Sequence, residues 1–356
     1  MRAQILGMAM SLSVLGSACG GGLQLTMIEA AHHKPSNVAV FFAVDDKNGE
    51  PVADLLASDF NIYEDDKLVS VDESRQTIVN PEIAAVHHTL LLVDMSASVT
   101  ASDQVTQIVA AAQQFASRVE QYQRLAVYAF DGGKTLYEIT PFSEPGKTNG
   151  SGISALTSFR TRDPSTNLHG AVEQALAELD RAQERATVPL RFGTLVVFTD
   201  GTDRAGRVPL QQVLDAVEGS DHAVYAIGVG NEIDDSTLSR IGKSGYIRVE
   251  DSSALTKAFD QIGDRIVRYT RRYYLLSYCS PARAGTHKVT IEAVTKRARG
   301  KLDYPFDAKG FGPECDPNRP PPFDTSGKSR RTRKKLQRTQ GEEASRSEIK
   351  AAGKPD

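Results

Sequence analysis

The chain has 356 residues, 40% of them hydrophobic and 24% charged, with no Trp. That is enough for two compact domains plus tails, in the composition range of a soluble globular protein with a core of small and β-branched residues. A formal net charge of −3 gives no field strong enough to select nucleic acid or an acidic substrate.

Arg2 gives a short positive start, and Ile5 to Ala18 is an apolar run of small residues, Met and Leu. The run is too short for a comfortable membrane span but fits the core of a secretory signal. A buried N-terminal helix is the alternative, but the run has no amphipathic period. We expect a signal peptide over 1–18. Leu15-Gly16-Ser17-Ala18-Cys19 resembles the lipobox of bacterial lipoproteins, with Gly16 where that family usually has Leu. The resemblance implies acylation of Cys19 and a membrane anchor, with simple secretion as the other outcome. If Cys19 is acylated, Cys279 and Cys315 remain as a candidate disulfide in an oxidising compartment. Two thiols are too few for a structural zinc site.

Residues 19–35 read as a spacer and lipid-anchor region. From Val38 the pattern alternates, with Val38, Val40, Phe42 and Val44 on one face, and Asn48-Gly49 marks a turn. Phe60, Ile62, Leu68, Val69 and Val71 continue a strand reading around a polar turn, Glu64-Asp65-Asp66-Lys67. The span 36–84 is therefore a β segment, too small to bury much alone.

The pattern then changes. Thr89 to Val93 is continuously apolar, as in a parallel strand covered on both faces. Val105, Ile108, Val109, Ala112, Phe115, Ala116 and Val119 recur at helical spacing, with Ser102 as N-cap. A strand at Leu125–Phe130 leads into a Gly-, Pro- and Ser-rich loop to about residue 165. A second helix carries Leu168, Ala171, Val172, Ala175, Leu176 and Leu179. Strand Thr194–Thr199, a helix from near Pro209, strand Ala223–Val229, a short helix at Ser236–Ile241, strand Tyr246–Val249 and a helix around Ala254–Val267 follow. Alternating strands and helices predict an α/β domain over 85–270, built on a doubly wound, mostly parallel sheet.

After Tyr269 the helices stop. Tyr273–Tyr278, His287–Val294 and Leu302–Phe306 read as strands over 271–315. The expectation is that they join the N-terminal strands in one small all-β sandwich, with the α/β domain inserted; a separate hairpin packed on that domain is the alternative. Residues 316–356 read as a disordered tail. Its prolines (317, 320, 321, 322) precede a basic stretch with Lys328, Arg330, Arg331, Arg333, Lys334, Lys335 and Arg338. A solvated tail is the plain reading, and attachment to an anionic envelope surface the sharper one.

The first α/β strand ends in Asp94-Met95-Ser96-Ala97-Ser98. Ligands of open parallel sheets bind beyond the carboxyl ends of the strands. One carboxylate and two hydroxyls in a tight loop there are oxygen donors suited to a hard cation. This segment matches the Asp-x-Ser-x-Ser motif of von Willebrand factor A domains, which carry a metal-ion-dependent adhesion site. Pro164-Ser165-Thr166-Asn167-Leu168 stands where that family has its metal-binding Thr, and Phe198-Thr199-Asp200-Gly201 where it has an Asp-Gly turn. The resemblance covers about residues 86–268 and rests on three segments in the right order at the right strand ends.

The resemblance implies a metal set of Asp94, Ser96, Ser98, Thr166 and Asp200, with Mg²⁺, or Ca²⁺ or Mn²⁺, as cofactor. It implies that Ser96 and Ser98 coordinate directly, that Thr166 joins on engagement and that Asp94 and Asp200 often act through water. A carboxylate from a partner protein then completes the shell. A capping role for Asp94, Ser96 and Ser98 is the plain alternative; it leaves Thr166 and Asp200 unexplained. Ser58 to Asp65 and Tyr273 to Tyr278 also resemble segments flanking A domains in envelope proteins of environmental bacteria.

The expected function is a metal-dependent protein-binding module of the bacterial envelope, lipid-anchored to the outer membrane or periplasmic. An envelope-assembly or scaffold subunit using other surfaces is the alternative. We expect no enzyme: Ser96 with His169 could form a hydrolase pair, but no Gly-x-Ser-x-Gly elbow is present. Gly228-Val229-Gly230-Asn231 stops short of a dinucleotide fingerprint. The export signal argues against the cytoplasmic A domains that assist metal-inserting motors. His87-His88 precede the first strand and are assigned to an interdomain surface.

Overall fold

A computed structural model describes residues 22–70, 77–79, 85–101, 105–147, 150–186, 188, 190–319, 321 and 323. Cys19, the signal segment, Ser102, Val71 and the basic stretch lie outside the described residues. Strands β1 (Gln24–His33) and β2 (Asn37–Asp45) come first, then a 3-10 turn at Ala57–Asp59, β3 (Phe60–Glu64), β4 (Lys67–Leu68) and β5 (Thr77–Val79). The α/β unit opens with β6 (Ala85–Asp94), α1 (Ala97–Thr100), α2 (Val105–Val119), β7 (Arg124–Phe130) and β8 (Tyr137–Thr140). It continues through α3 (Gly150–Ile153), α4 (Leu168–Arg185), β9 (Leu190–Thr199), α5 (Leu210–Gly219) and β10 (Ala223–Val229). It ends with α6 (Asp235–Ile241), β11 (Gly245–Val249) and α7 (Leu255–Arg271); β12 (Tyr273–Cys279), β13 (Thr286–Val294) and β14 (Arg299–Asp307) follow.

The central sheet has six strands in the order β11-β10-β9-β6-β7-β8. Its pairs are parallel except β7 with β8. Apolar residues fill both faces of β6, because helices cover both. Leu91 and Val93 pack with Ile108, Ala112 and Phe115 of α2 and Phe259 of α7. Leu90 and Leu92 pack with Val172 and Leu176 of α4 and Leu214 of α5. The expected doubly wound sheet is therefore present. Tyr137–Thr140, placed in a loop by the sequence reading, is an antiparallel edge strand with an irregular register at Val127/Tyr128.

The terminal strands form two antiparallel sheets, β1-β2-β12-β5 and β14-β13-β3-β4. Strand β12 lies between β2 and β5. The chain thus returns from the α/β unit into a sheet begun before it, which is the inserted arrangement and not a separate hairpin. Val38, Val40, Phe42 and Val44 meet Leu276, Tyr278, Val289 and Ile291 in the core between the sheets. The other face of β2, with Ala39, Phe41 and Ala43, packs on Ala85, Leu190 and Phe192 at the base of the central sheet. The polar turn between β3 and β4 holds Asp65 (φ 48°) and Asp66 (φ 64°) in the left-handed region, which short polar side chains tolerate.

Three further expectations are corrected. The supposed spacer contains β1, paired with β2 along its length, with a register shift between Met27 and Glu29. That bulge breaks the period-2 pattern, and only Ile28 is buried. His87 and His88 lie inside β6 and not before it. His87 does sit at the junction, its ring 4.7 Å from Phe192 and 5.9 Å from Tyr273 of β12. The third correction concerns the start of the tail. Cys279 and Cys315 form a disulfide, and the chain stays docked beyond it. Asn37 Nδ2 donates to the carbonyls of Asp316 and Arg319 at 2.6 and 3.1 Å, and Phe323 packs near Phe41.

Arg272 joins the two units at the exit of α7. It is 1% exposed. Its Nη1 donates to Asp45 Oδ1 at 2.7 Å, and its guanidinium lies 5.0 and 5.1 Å from the rings of Tyr269 and Tyr273. Among the described residues no helix is long and apolar enough to cross a membrane.

Candidate metal centre

Strand β6 delivers Asp94 to the carboxyl edge of the sheet, fully buried. Met95 turns into the core while its amide donates to Phe130 O at 2.8 Å, so the chain leaves the strand in a fixed direction. Asp94 Oδ1 accepts the Ser96 amide at 2.9 Å, and Oδ2 accepts the Thr199 hydroxyl at 2.6 Å. Ser96 Oγ lies 3.2 Å from Ser98 Oγ, and Ser98 Oγ donates to Asp200 Oδ1 at 3.0 Å. Asp94, Ser96, Ser98 and Asp200 thus form one connected set of oxygens across the ends of β6 and β9. Ser96 occupies the N-cap position of α1, but its side chain makes no capping hydrogen bond. The capping alternative therefore does not describe Ser96.

Thr166 comes from the loop before α4 and is buried. Its carbonyl accepts the amides of Arg204 and Ala205, both at 3.0 Å. A Cβ on Gly201 would stand 3.9 Å from Thr166 Oγ1, so this hydroxyl faces the residue after Asp200. Ala97 N donates to Pro164 O at 3.2 Å, and Thr161 Oγ1 to Met95 O at 2.8 Å. The three loops singled out by the sequence are thus interlocked, and all five candidate residues stand at one edge.

Burial pushes the Asp94 carboxyl up to about 7, with the charge of Asp200 adding to the rise. Asp200 is also raised, chiefly by burial, with Glu232 adding to it against the pull of Ser98 and Arg204. Two neighbouring carboxylates pushed upward lack counter-charge, which a bound cation would supply. The donors are two carboxylates and three hydroxyls, all oxygen. Among the described residues no group of three or more His, Cys, Asp or Glu could hold a metal. This chemistry fits a hard divalent cation and not a soft one.

Two contributors lie outside the five motif residues: Thr199, at the end of β9, and Asp131, just after β7. A hydroxyl ending β9 beside the Asp-Gly pair, and a carboxylate followed by two glycines, are the signals that point to them. His169, the candidate base, is engaged on the third loop: its amide donates to Asp203 Oδ1 at 3.0 Å and its Nδ1 lies 3.0 Å from Val208 O.

Residues 90–261 match the family model described as the von Willebrand factor type A domain. The α/β unit has that fold, flanked by the two antiparallel sheets. No curated protein matches the chain. Among solved structures, a von Willebrand factor type A protein from Catenulispora acidiphila is 10% identical, with 82% of this chain and 73% of that chain covered and a TM-score of 0.46. Proximal thread matrix protein 1 from the mussel byssus, with a zinc-occupied MIDAS motif, is 16% identical, with 58% and 49% covered and a TM-score of 0.42. The match therefore spans about half the mussel protein's length. The manganese-loaded Plasmodium vivax TRAP protein is 12% identical, with 68% and 99% covered and a TM-score of 0.44.

Proposed function

We propose that the von Willebrand factor type A domain of this chain is a protein-binding module that grips a partner carboxylate through a divalent cation. Asp94, Ser96, Ser98, Thr166 and Asp200 hold the cation, with Mg²⁺ as the expected ion and Ca²⁺ or Mn²⁺ as substitutes. The observation that carries the reading is the connected oxygen set at the ends of β6 and β9, with Thr166 held against Gly201. A bound cation would supply a positive centre that attracts an acidic side chain.

The chain's own residues do the rest. Thr199 and the Ser96 amide aim the Asp94 carboxylate. Exposed Ser98 borders solvent, while Ser96 and Asp94 lie beneath it. With Asp94 and Asp200 acting through water, the groups of this chain that would touch the ion directly are neutral hydroxyls, so an incoming carboxylate is favoured. The proposed setting is the bacterial cell envelope, reached by the signal over 1–18 and kept there by acylation of Cys19.

The test is a pull-down with the purified chain, with and without EDTA and with Asp94→Ala. Loss of the partner under both treatments supports the reading. Retention under both sinks it and favours a scaffold subunit binding through other faces. Fatty-acid labelling of wild type against Cys19→Ser decides the anchor: label on the wild type alone is expected.

A further inference from the structure

The loop that carries Thr166 has no regular structure of its own to fix it. Residues 131–133, just after β7, provide the support. Asp131 is 1% exposed. Its Oδ1 accepts the Gly133 amide at 2.7 Å, and its Oδ2 accepts the amides of Arg162 and Asp163 at 2.8 and 3.1 Å. The Tyr137 hydroxyl adds a contact at 3.3 Å. These donors occupy the lone pairs of both oxygens, so the carboxylate faces amides and not a cation. The surrounding backbone closes the same seam. Gly132 N donates to Asp163 O and Asn167 N to Asp131 O, each at 3.1 Å, and Asn167 Nδ2 donates to Gly133 O at 2.7 Å. A Cβ on Gly132 would stand 2.3 Å from Asp163 Oδ1 and 2.8 Å from Ser165 Cβ, so a larger residue would have to shift this loop. From the other side Arg207 Nε donates to Gly132 O at 2.6 Å and Arg207 Nη2 to Asp163 Oδ2 at 2.7 Å.

We infer that Asp131 is a positioning residue for the cation site, acting through Thr166. This rests on the cation-binding reading above and adds to it a residue outside the five donors. The carboxylate pins residues 162 and 163, the next turn of chain presents Thr166, and Asn167 returns to the Asp131 backbone. With the clamp closed, the hydroxyl is already in place and little ordering accompanies cation binding. A residue that orients a metal ligand in this way typically changes affinity by about 10- to 100-fold when lost.

The experiment titrates Mn²⁺ into the purified full chain and follows free Mn²⁺ by electron paramagnetic resonance. Asp200→Ala is expected to abolish binding. Asp131→Asn, of equal size but with one oxygen fewer for the clamp, is expected to weaken it about 10-fold. Tyr137→Phe keeps the carboxylate and the fold and should weaken it in the same direction by a smaller factor. In a Thr166→Ala background Asp131→Asn should cause no further loss, because the two act as a unit; a purely structural role would not produce that dependence. Wild-type affinity in both Asp131→Asn and Tyr137→Phe, with Asp200→Ala still inactive, overturns the inference alone. Losses that multiply in the Thr166→Ala background also overturn it. A wild type that takes up no Mn²⁺ overturns the cation-binding reading together with it.

Discussion

The hydroxyl of Thr199 donates to Asp94 Oδ2 at 2.6 Å, joining the last residues of two adjacent central strands beneath the candidate site. Both residues are fully buried, so neither can exchange this bond for water. The same oxygen accepts the Gly201 amide at 3.2 Å. Thr199 therefore fixes both the carboxylate at one strand end and the turn at the other.

Replacing Thr199 with Val leaves a buried carboxylate oxygen without its donor. We expect a loss of about 1–3 kcal/mol in the stability of the cation-free protein and weaker Mn²⁺ binding. Thr199→Ser should recover most of both. Urea unfolding of the three proteins side by side checks the stability, and the same titration checks the binding.

Breaking the pair at the junction should cost more. Burial raises Asp45 even though Arg272 pulls it down, and Arg272 has almost no exposure. Asp45→Ala takes the carboxylate from a buried guanidinium and is expected to destabilise by about 3–5 kcal/mol. If differential scanning calorimetry shows no change in the Tm of Asp45→Ala, Arg272 finds other compensation.

The Cys279–Cys315 bridge spans 36 residues of sequence. Loop-closure entropy puts its contribution at about 3–4 kcal/mol. Reductant, or Cys279→Ser with Cys315→Ser, should lower the denaturant midpoint accordingly and should open the chain around Asp316, Arg319 and Phe323 to proteolysis. An unchanged cleavage pattern would show that Asn37 and Phe41 alone hold that segment.

Stability should also decline toward acid through two histidines of β6, His87 and His88. Burial first, then the charges of His88 and Arg272, lower His87 to about 3; burial lowers His88 to about 4, helped by Arg124 and His222. In the unfolded chain each takes a proton near its ordinary value of 6.5. The unfolded state therefore binds more protons below that pH. Their contribution is intact above about pH 6.5 and is lost progressively as pH falls toward the folded values. His87→Phe keeps a ring between Phe192 and Tyr273 and should flatten the Tm profile between pH 7 and 4. A parallel profile would assign the acid loss elsewhere.

Much of this architecture is legible in the chain. The apolar run ending at Asp94 and the helical spacing from Val105 to Val119 reflect local periodicity. Strand β12 reads as a strand for the same reason. Strand β1 escapes such a reading, because its bulge at Met27–Glu29 and its single buried residue leave no clean alternation. Strand β8 escapes because it has four residues at a sheet edge. The five candidate donors stand out through motif and order. Asp131 does not, since its partners Arg162 and Asp163 lie 31 and 32 positions away and the clamp exists only after folding.

Ala85, at the start of β6, belongs to the packed junction with the sandwich, while Asp94, at its end, belongs to the candidate site. Ten residues of strand at about 3.3 Å each separate the two by about 30 Å. A partner tugging at the Asp94 edge therefore loads the central sheet lengthwise. Neighbouring strands β7 and β9 share that load, and their hydrogen bonds to β6 would have to shear together and not open one by one. The inserted domain is arranged as a strut, with the candidate site at one end and its mount at the other.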